Sequence, residues 1–325
     1  MPGDETRSNA QRGAVRIREL MTLVTLLLAT ATASPLAEGQ TLVRDKPPII
    51  DMHLHAFQLP DGVAPPVNPV TGRPSISLTT AELRDASLAA LARYNIVKAV
   101  TSGPAETVAQ WRAAAPEHIL VGAFVDEDNP LPDLSALRAN IRAGHVHVLG
   151  ELALQYRGMA LNDPRLEPYY ALAEELDIPV GLHTGIGPPG TPYLPCCPQF
   201  RVTLGNPIQV EEVLVRHPRL RLYLMHGGAP YLQETKAIMS VYPQVYADLS
   251  AINWVLPREE FHSYLRELMR AGFGKRLLFG SDQMFWPEAI GMAVEGIESA
   301  TFLTEGEKRD IFYNNAVRFL GINGR

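Results

Sequence analysis

The chain has 325 residues, 46% of them hydrophobic and 20% charged, an ordinary globular composition with enough length for a sizeable core. A formal net charge of −6 excludes a broadly basic face, so nucleic acid is not an expected partner. Nothing in the charge balance points to a membrane-surface protein.

Arg12, Arg16 and Arg18 precede the uncharged stretch LMTLVTLLLATATA, which ends in the small residues Ala31 and Ala33. A basic region, an apolar region and a small-residue site, in that order, predict a secretory signal peptide over 1–33, and a linker over 34–47 follows it. The apolar run is shorter than the ~20 residues of a membrane helix, so no stable span is expected after processing. The predicted location is therefore outside the cytoplasm, periplasmic or secreted.

From residue 48 the chain repeats one unit, a short β-branched run followed by a helical pattern. The predicted strands are IIDMHLH (49–55), VKAVTSG (97–103), ILVGAFVD (119–126) and VHVLGELAL (146–154). They continue with IPVGLHTG (178–185), RLYLMHGG (221–228), QVYADLS (244–250) and RLLFGSD (276–282). Helix signals lie between them. TTAELRDASLAALARYN has the threonine-to-glutamate spacing of a capping box, DPRLEPYYALAEELD opens on Asp163 and a proline, and PREEFHSYLRELMRAGFG runs from carboxylates to arginines. Strands alternating with helices imply parallel pairing, and eight such units match the ~250 residues of a barrel. The fold class is α/β, a (β/α)8 TIM barrel in a single domain over 48–322. A doubly wound sheet fits less well, because no G-x-G-x-x-G follows the first strand.

In such a barrel the carboxyl-terminal strand ends converge on one face, where active sites lie. His53 and His55 close the first strand, and with Asp51 they occupy alternate positions that would face one way. Glu151 lies on the fourth strand, His183 on the fifth, His226 on the sixth and Asp282 on the eighth. Imidazoles and carboxylates in one place form a nitrogen–oxygen site suited to zinc, with manganese or iron as alternatives, rather than to calcium or magnesium. A second H-x-H, His145 and His147, falls at the start of a strand, on the stability face. His118, His217 and His262 read as structural. The only cysteines, Cys196 and Cys197, are adjacent, so they suggest two packed or partly exposed thiols rather than a disulfide, and no second pair exists to close a metal site.

The set DMHLHAF, GELALQYRG, VGLHTG, LYLMHGG, LLFGSD and NNAVRFLG resembles the amidohydrolase superfamily over roughly residues 48–321. The likeness is greatest to the amidohydrolase-related branch that holds aminocarboxymuconate-semialdehyde decarboxylase, aromatic-acid decarboxylases and lactone hydrolases. The resemblance implies that His53, His55, His183 and Asp282 are metal ligands. It makes His226 a residue that orients or activates water or a ligand to a second metal. Glu151 takes the fourth-strand position where other branches hold a bridging lysine or glutamate, and GELALQY is also similar to the TatD-type nucleases. The implied enzyme is a metal-dependent hydrolase of a small lactone, ester or amide using a metal-activated water. Asp282 would accept the proton and His226 would polarise the carbonyl. A non-oxidative decarboxylase of aromatic or enoic acids is the alternative, and a barrel that only binds small ligands is the lesser one. One ion is favoured over two. Arg73, Arg157, Arg201, Trp254 and Trp286, on loops after the strands, are candidates to touch the small-molecule substrate. A homo-oligomer is compatible with all of this.

Overall fold

The computed structural model describes residues 46–60 and 62–322, so the expected signal segment and most of the linker lie outside the described residues. All eight expected strands form. They are β1 (Ile49–His55), β2 (Ile96–Ser102), β3 (Ile119–Val121), β4 (Leu149–Leu152), β5 (Val180–Leu182), β6 (Leu222–Leu224), β7 (Val245–Asp248) and β8 (Leu277–Leu278). Pairing is parallel throughout, β1 to β3 in one run and β4 to β8 in another. Parallel bridges Gly122–Val148 and Val125–Leu152 join β3 to β4, and Leu54–Gln283 joins β1 to the exit of β8, which closes the barrel.

Eight longer helices follow the strands: α1 (Thr80–Arg93), α2 (Ala105–Ala114), α3 (Leu134–Arg142), α4 (Glu167–Glu175), α5 (Glu211–Arg216), α6 (Leu232–Val241), α7 (Arg258–Arg270) and α8 (Glu288–Glu298). Sequence caps start two of them as expected. The Thr79 side chain accepts from the Glu82 amide at α1, and Asp163 accepts from the Arg165 amide in the 3₁₀ turn that leads into α4. Most strands stop short of their predicted ends. Past β6 and β8 the backbone turns left-handed at His226 (φ 58°) and Asp282 (φ 48°), which takes these residues out of the ladder.

Inside the barrel, Ile50, Met52, Val100, Leu120, Tyr223 and Leu278 form one buried cluster. Tyr223 spans it, its hydroxyl donating to the Met52 carbonyl at 3.3 Å. Residue 181 is a glycine because a Cβ there would lie 2.6 Å from the Tyr223 ring. A final helix, beginning at Glu305 behind a Thr304–Glu307 capping box, runs through one π turn to Leu320. It adds Ala316 and Phe319 to the cluster and anchors to the strand starts, where Asn315 donates to the Leu277 carbonyl and Arg221 to the Phe319 carbonyl.

The expectation of two thiols is corrected in the long loop after β5, where Cys196 and Cys197 are joined by a disulfide. Their Cα atoms are 3.8 Å apart, under the usual range for bridged pairs. The pairing is local, in a turn where the Cys197 amide donates to the Leu194 carbonyl and the Phe200 amide to the Cys197 carbonyl.

Candidate metal centre

The carboxyl-terminal mouth takes two histidines from β1 and one polar donor each from the ends of β4, β5, β6 and β8. The expected sharing of one face by Asp51, His53 and His55 fails at Asp51. The register of β1 against β2 shifts between Asp51 and Leu54, an irregularity of the kind that re-aims side chains. Asp51 Oδ1 accepts from the His53 and Ser281 amides, so this carboxylate holds the shift and the neighbouring β8 exit together.

His53 and His55 do point into the mouth. Their Nε2 atoms lie 3.2 Å apart, and Glu151 Oε2 is 3.4 Å from the first and 3.3 Å from the second. Asp282 Oδ1 stands 3.0 Å from His55 Nε2 and 3.5 Å from His53 Nε2. Four ligand atoms placed tetrahedrally at zinc–ligand distance would be spaced about 3.4 Å apart. The His53–His55 separation and the distances of Glu151 and Asp282 to these two nitrogens fit that figure, and His53, His55 and Asp282 form one group of candidate ligands. Beside this tight group lies a looser one. Glu151 turns Oε1 towards His183 Nε2 at 3.9 Å, and the His183 and His226 rings are 4.7 Å apart. Glu151, His183 and His226 each offer a ligand atom within 4.8 Å of the others. Glu151 therefore divides its two oxygens between two groups.

Strand β7 supplies residues that sequence reading passed over. Asp248 is fully buried and faces His53 Nδ1 with Oδ2 at 3.3 Å. Its Oδ1 accepts from the His226 amide at 2.9 Å and the Ser250 amide at 3.0 Å. Ser250 Oγ bonds Asp248 and lies 2.9 Å from His53 Nδ1 and 3.1 Å from His226 Nδ1. With Nδ1 facing Asp248 and Ser250, His53 turns Nε2 to the mouth, as is typical of metal-ligating histidines. The signal was present as the aspartate closing QVYADLS. Phe57, stacked 4.3 Å from the His55 ring, and Tyr156, 5.4 Å from the His183 ring, are apolar walls that the sequence reading also missed.

The electrostatics favour positive charge at the tight group. Burial works against protonation of His53, yet Asp282 and Glu151 outweigh it and raise its pKa well above the usual histidine range. Burial would raise the Glu151 carboxyl, but His53, then His55 and His183, hold it well below the usual carboxylate range. Burial first and His226 second push His183 down to about 3, so it is a neutral imidazole with a lone pair to give. Carboxylates buried this close together are satisfied by positive charge, either a proton on His53 or a bound cation, and the donor set fits a divalent metal.

The remaining candidates hold loops. Arg157 donates to the Asp126 and Glu127 carbonyls, and Arg201 to those of Pro198 and Phe200. Trp254 donates to the Ser281 carbonyl beside Asp282, Trp286 donates to that of Pro66, and their rings are 6.1 Å apart. Arg73 is exposed. Of the other histidines, His147 accepts from the Val121 amide, His217 bonds Glu167 and Glu174, and His262 bonds the Gly296 carbonyl.

A family model described as amidohydrolase matches residues 50–322. Among curated proteins, Protein fluG of Emericella nidulans is 26% identical over 160 residues, 45% of this chain, and the match takes in 18% of that protein's length. Among solved structures, an uncharacterized TIM-barrel protein from Bordetella bronchiseptica aligns with a TM-score of 0.60 at 20% identity, covering 85% of this chain and 99% of its own. One from Acinetobacter baumannii, described as a probable 2-pyrone-4,6-dicarboxylic acid hydrolase, gives 0.58 at 17%, covering 84% and 99%. A 2,6-dihydroxybenzoate decarboxylase from Rhizobium gives 0.56 at 16%, covering 84% and 100%. At these identities the likenesses establish the (β/α)8 barrel.

Proposed function

The chain belongs to the amidohydrolase family, and on that premise we propose that it is a metal-dependent hydrolase of a small lactone, ester or amide, working at the carboxyl-terminal mouth of its barrel. The observation that carries the reading is the convergence of His53, His55, Glu151 and Asp282 within 3.0–3.5 Å contacts at a buried point. These four would hold the principal ion, and zinc suits their spacing. The looser Glu151–His183–His226 group would take a second ion more weakly, so the divided carboxylate favours two positions over the single ion expected from sequence. When bound, such an ion supplies Lewis acidity and lowers the pKa of water towards about 7.

The chain's own residues do the rest. Asp282, lowered by His53, His55 and His226 against the effect of burial, is ionised and able to take the proton of the attacking water at Oδ1 or Oδ2. Its Oδ2 lies 4.0 Å from His226 Nδ1, and in this reading the His226 imidazole steadies the developing oxyanion. Phe57 beside His55 and Tyr156 beside His183 provide an aromatic ring on either flank. Loop groups such as Arg157 and Trp286 remain our candidates for substrate contact. Export, with a mature chain beginning soon after Ala33, is part of the same proposal and is tested by sequencing the amino terminus of the protein from its producing cell.

The deciding experiment is a purified sample assayed with lactone, ester, amide and carboxylic-acid panels alongside metal analysis. Acid release that depends on bound metal supports the reading. Release of CO₂ from a carboxylic acid, with none of the hydrolytic activities, would replace it with the decarboxylase. Bound metal with no turnover of any panel would leave a binding barrel.

A further inference from the structure

We propose that Cys196, Cys197 and Glu127 form a redox-gated site for a thiophilic divalent cation, separate from the donor cluster at the mouth. The pair alone supplies two donors, and sequence offers no second pair. The fold brings a third, because a Glu127 carboxylate oxygen from the loop after β3 and the two Sγ atoms all lie within 4.8 Å of one another. Cys196 is exposed and Cys197 buried, so one sulfur is open to a reagent and the other fixed in the loop. Glu127 and Cys196 border a cavity of about 570 Å³, lined also by Tyr156 and Arg157, with Cys197 buried behind them, so a cation has room to arrive with water on its remaining position.

Charge supports the assignment. Arg157, which also lines the cavity, donates to the backbone carbonyls of Asp126 and Glu127. Burial first, then the negative charges of Asp126, Asp128 and Glu151, raise the Glu127 carboxyl, so an arriving cation meets a carboxyl group set among other carboxylates. Two thiolates and a carboxylate form a soft set that selects zinc or cadmium over calcium or magnesium. Backbone turns flank the pair, the Cys197 amide donating to Leu194 and the Phe200 amide to Cys197. Two thiolates on one zinc stand roughly 3.7 Å apart at a Zn–S distance of about 2.3 Å, a spacing the pair reaches by modest relaxation.

In the oxidised chain the gate is shut, because both sulfurs are spent on each other. Opening takes two electrons. A phosphine attacks the exposed Cys196 sulfur, the S–S bond breaks, Cys197 leaves as thiolate, and water converts the phosphonium to phosphine oxide while both sulfurs gain protons. A dithiol does the same and ends as its own disulfide. Cation binding then releases the thiol protons.

The test uses the full purified chain, as isolated and after phosphine treatment with the phosphine removed, titrated with cadmium. The readouts are thiol count and the ultraviolet charge-transfer band of cadmium–thiolate, to which the nitrogen–oxygen cluster at the mouth contributes nothing. The expected result is no free thiol and no band as isolated, then two thiols and one sulfur-bound cadmium per chain after reduction. Cys196→Ser should abolish the band, and Glu127→Gln should weaken cadmium binding about tenfold or more, through loss of a charged ligand. Two free thiols as isolated, no band after reduction, a band persisting in Cys196→Ser, or unchanged affinity in Glu127→Gln would each overturn the proposal. Circular dichroism confirms that the variants are folded.

Discussion

Replacing Asp248 by asparagine tests whether β7 sets the protonation pattern of the metal centre. Asp248 Oδ1 accepts from two backbone amides, of His226 and Ser250, so an asparagine there must keep its oxygen in that place. Its NH₂ then falls opposite His53 Nδ1, where Oδ2 stood at 3.3 Å. His53 has two responses. It moves its proton to Nε2, where the proton occupies the lone pair meant for the metal, or it keeps Nδ1–H facing another donor, with only Ser250 Oγ to accept it. Either response weakens the metal and leaves the fold intact. Loss of a group that orients a metal-ligating histidine typically costs 10–100-fold in metal affinity, or about 1.4–2.7 kcal/mol. Competition between the protein and a zinc chelator of known affinity measures it, with a thermal melt alongside. Asp248→Ala is the contrast. It strands two buried amides at roughly 1–3 kcal/mol each and should lower the melting temperature as well. A folded Asp248→Asn protein with metal affinity within twofold of the native chain would refute the reasoning.

Asp282→Asn keeps an oxygen for the metal but cannot take a proton, so turnover should fall roughly 10²–10⁴-fold while metal content and substrate binding change far less; near-native turnover would assign the proton to His226. Glu151→Gln removes the shared charge, and metal analysis after dialysis should show the weaker ion lost and the tighter one reduced; unchanged stoichiometry would show that Glu151 does not bridge. Metal affinity should also depend on pH. In the metal-free protein His53 holds its proton above the ordinary 6.5, because Asp282 and Glu151 outweigh burial. A metal must displace that proton, so affinity should still climb with pH through neutrality. A plateau reached below pH 7 would contradict it.

The barrel and its ring of donors were legible because each donor ends an apolar run, and in this fold strand ends meet whatever lies between them. His53, His55, Glu151, His183, His226 and Asp282 come together from five different stretches of chain for that reason. What escaped depends on relations that no single stretch contains. Asp51 leaves the shared face because of a register shift against β2 and a hydrogen bond to Ser281. Asp248 looked like an ordinary strand residue, and its role appears only when β1 and β6 are laid beside β7. The disulfide needed the turns around Cys197, and Glu127 reaches it from a loop nearly seventy residues upstream, a distance along the chain read directly from the sequence.

Tyr223, stretched from β6 to the Met52 carbonyl across the space left by Gly181, has a consequence for traffic. With Phe319 and its neighbours packed below, the barrel is a cup rather than a pipe. Everything that reaches the donors, whether substrate, water or ion, crosses the same rim, and products must leave against incoming solute. Entry and exit are thus one step seen from two directions. The rim loops, including the cysteine-bearing one after β5, sit where that single opening can be widened or narrowed without touching the layers that hold the cup together.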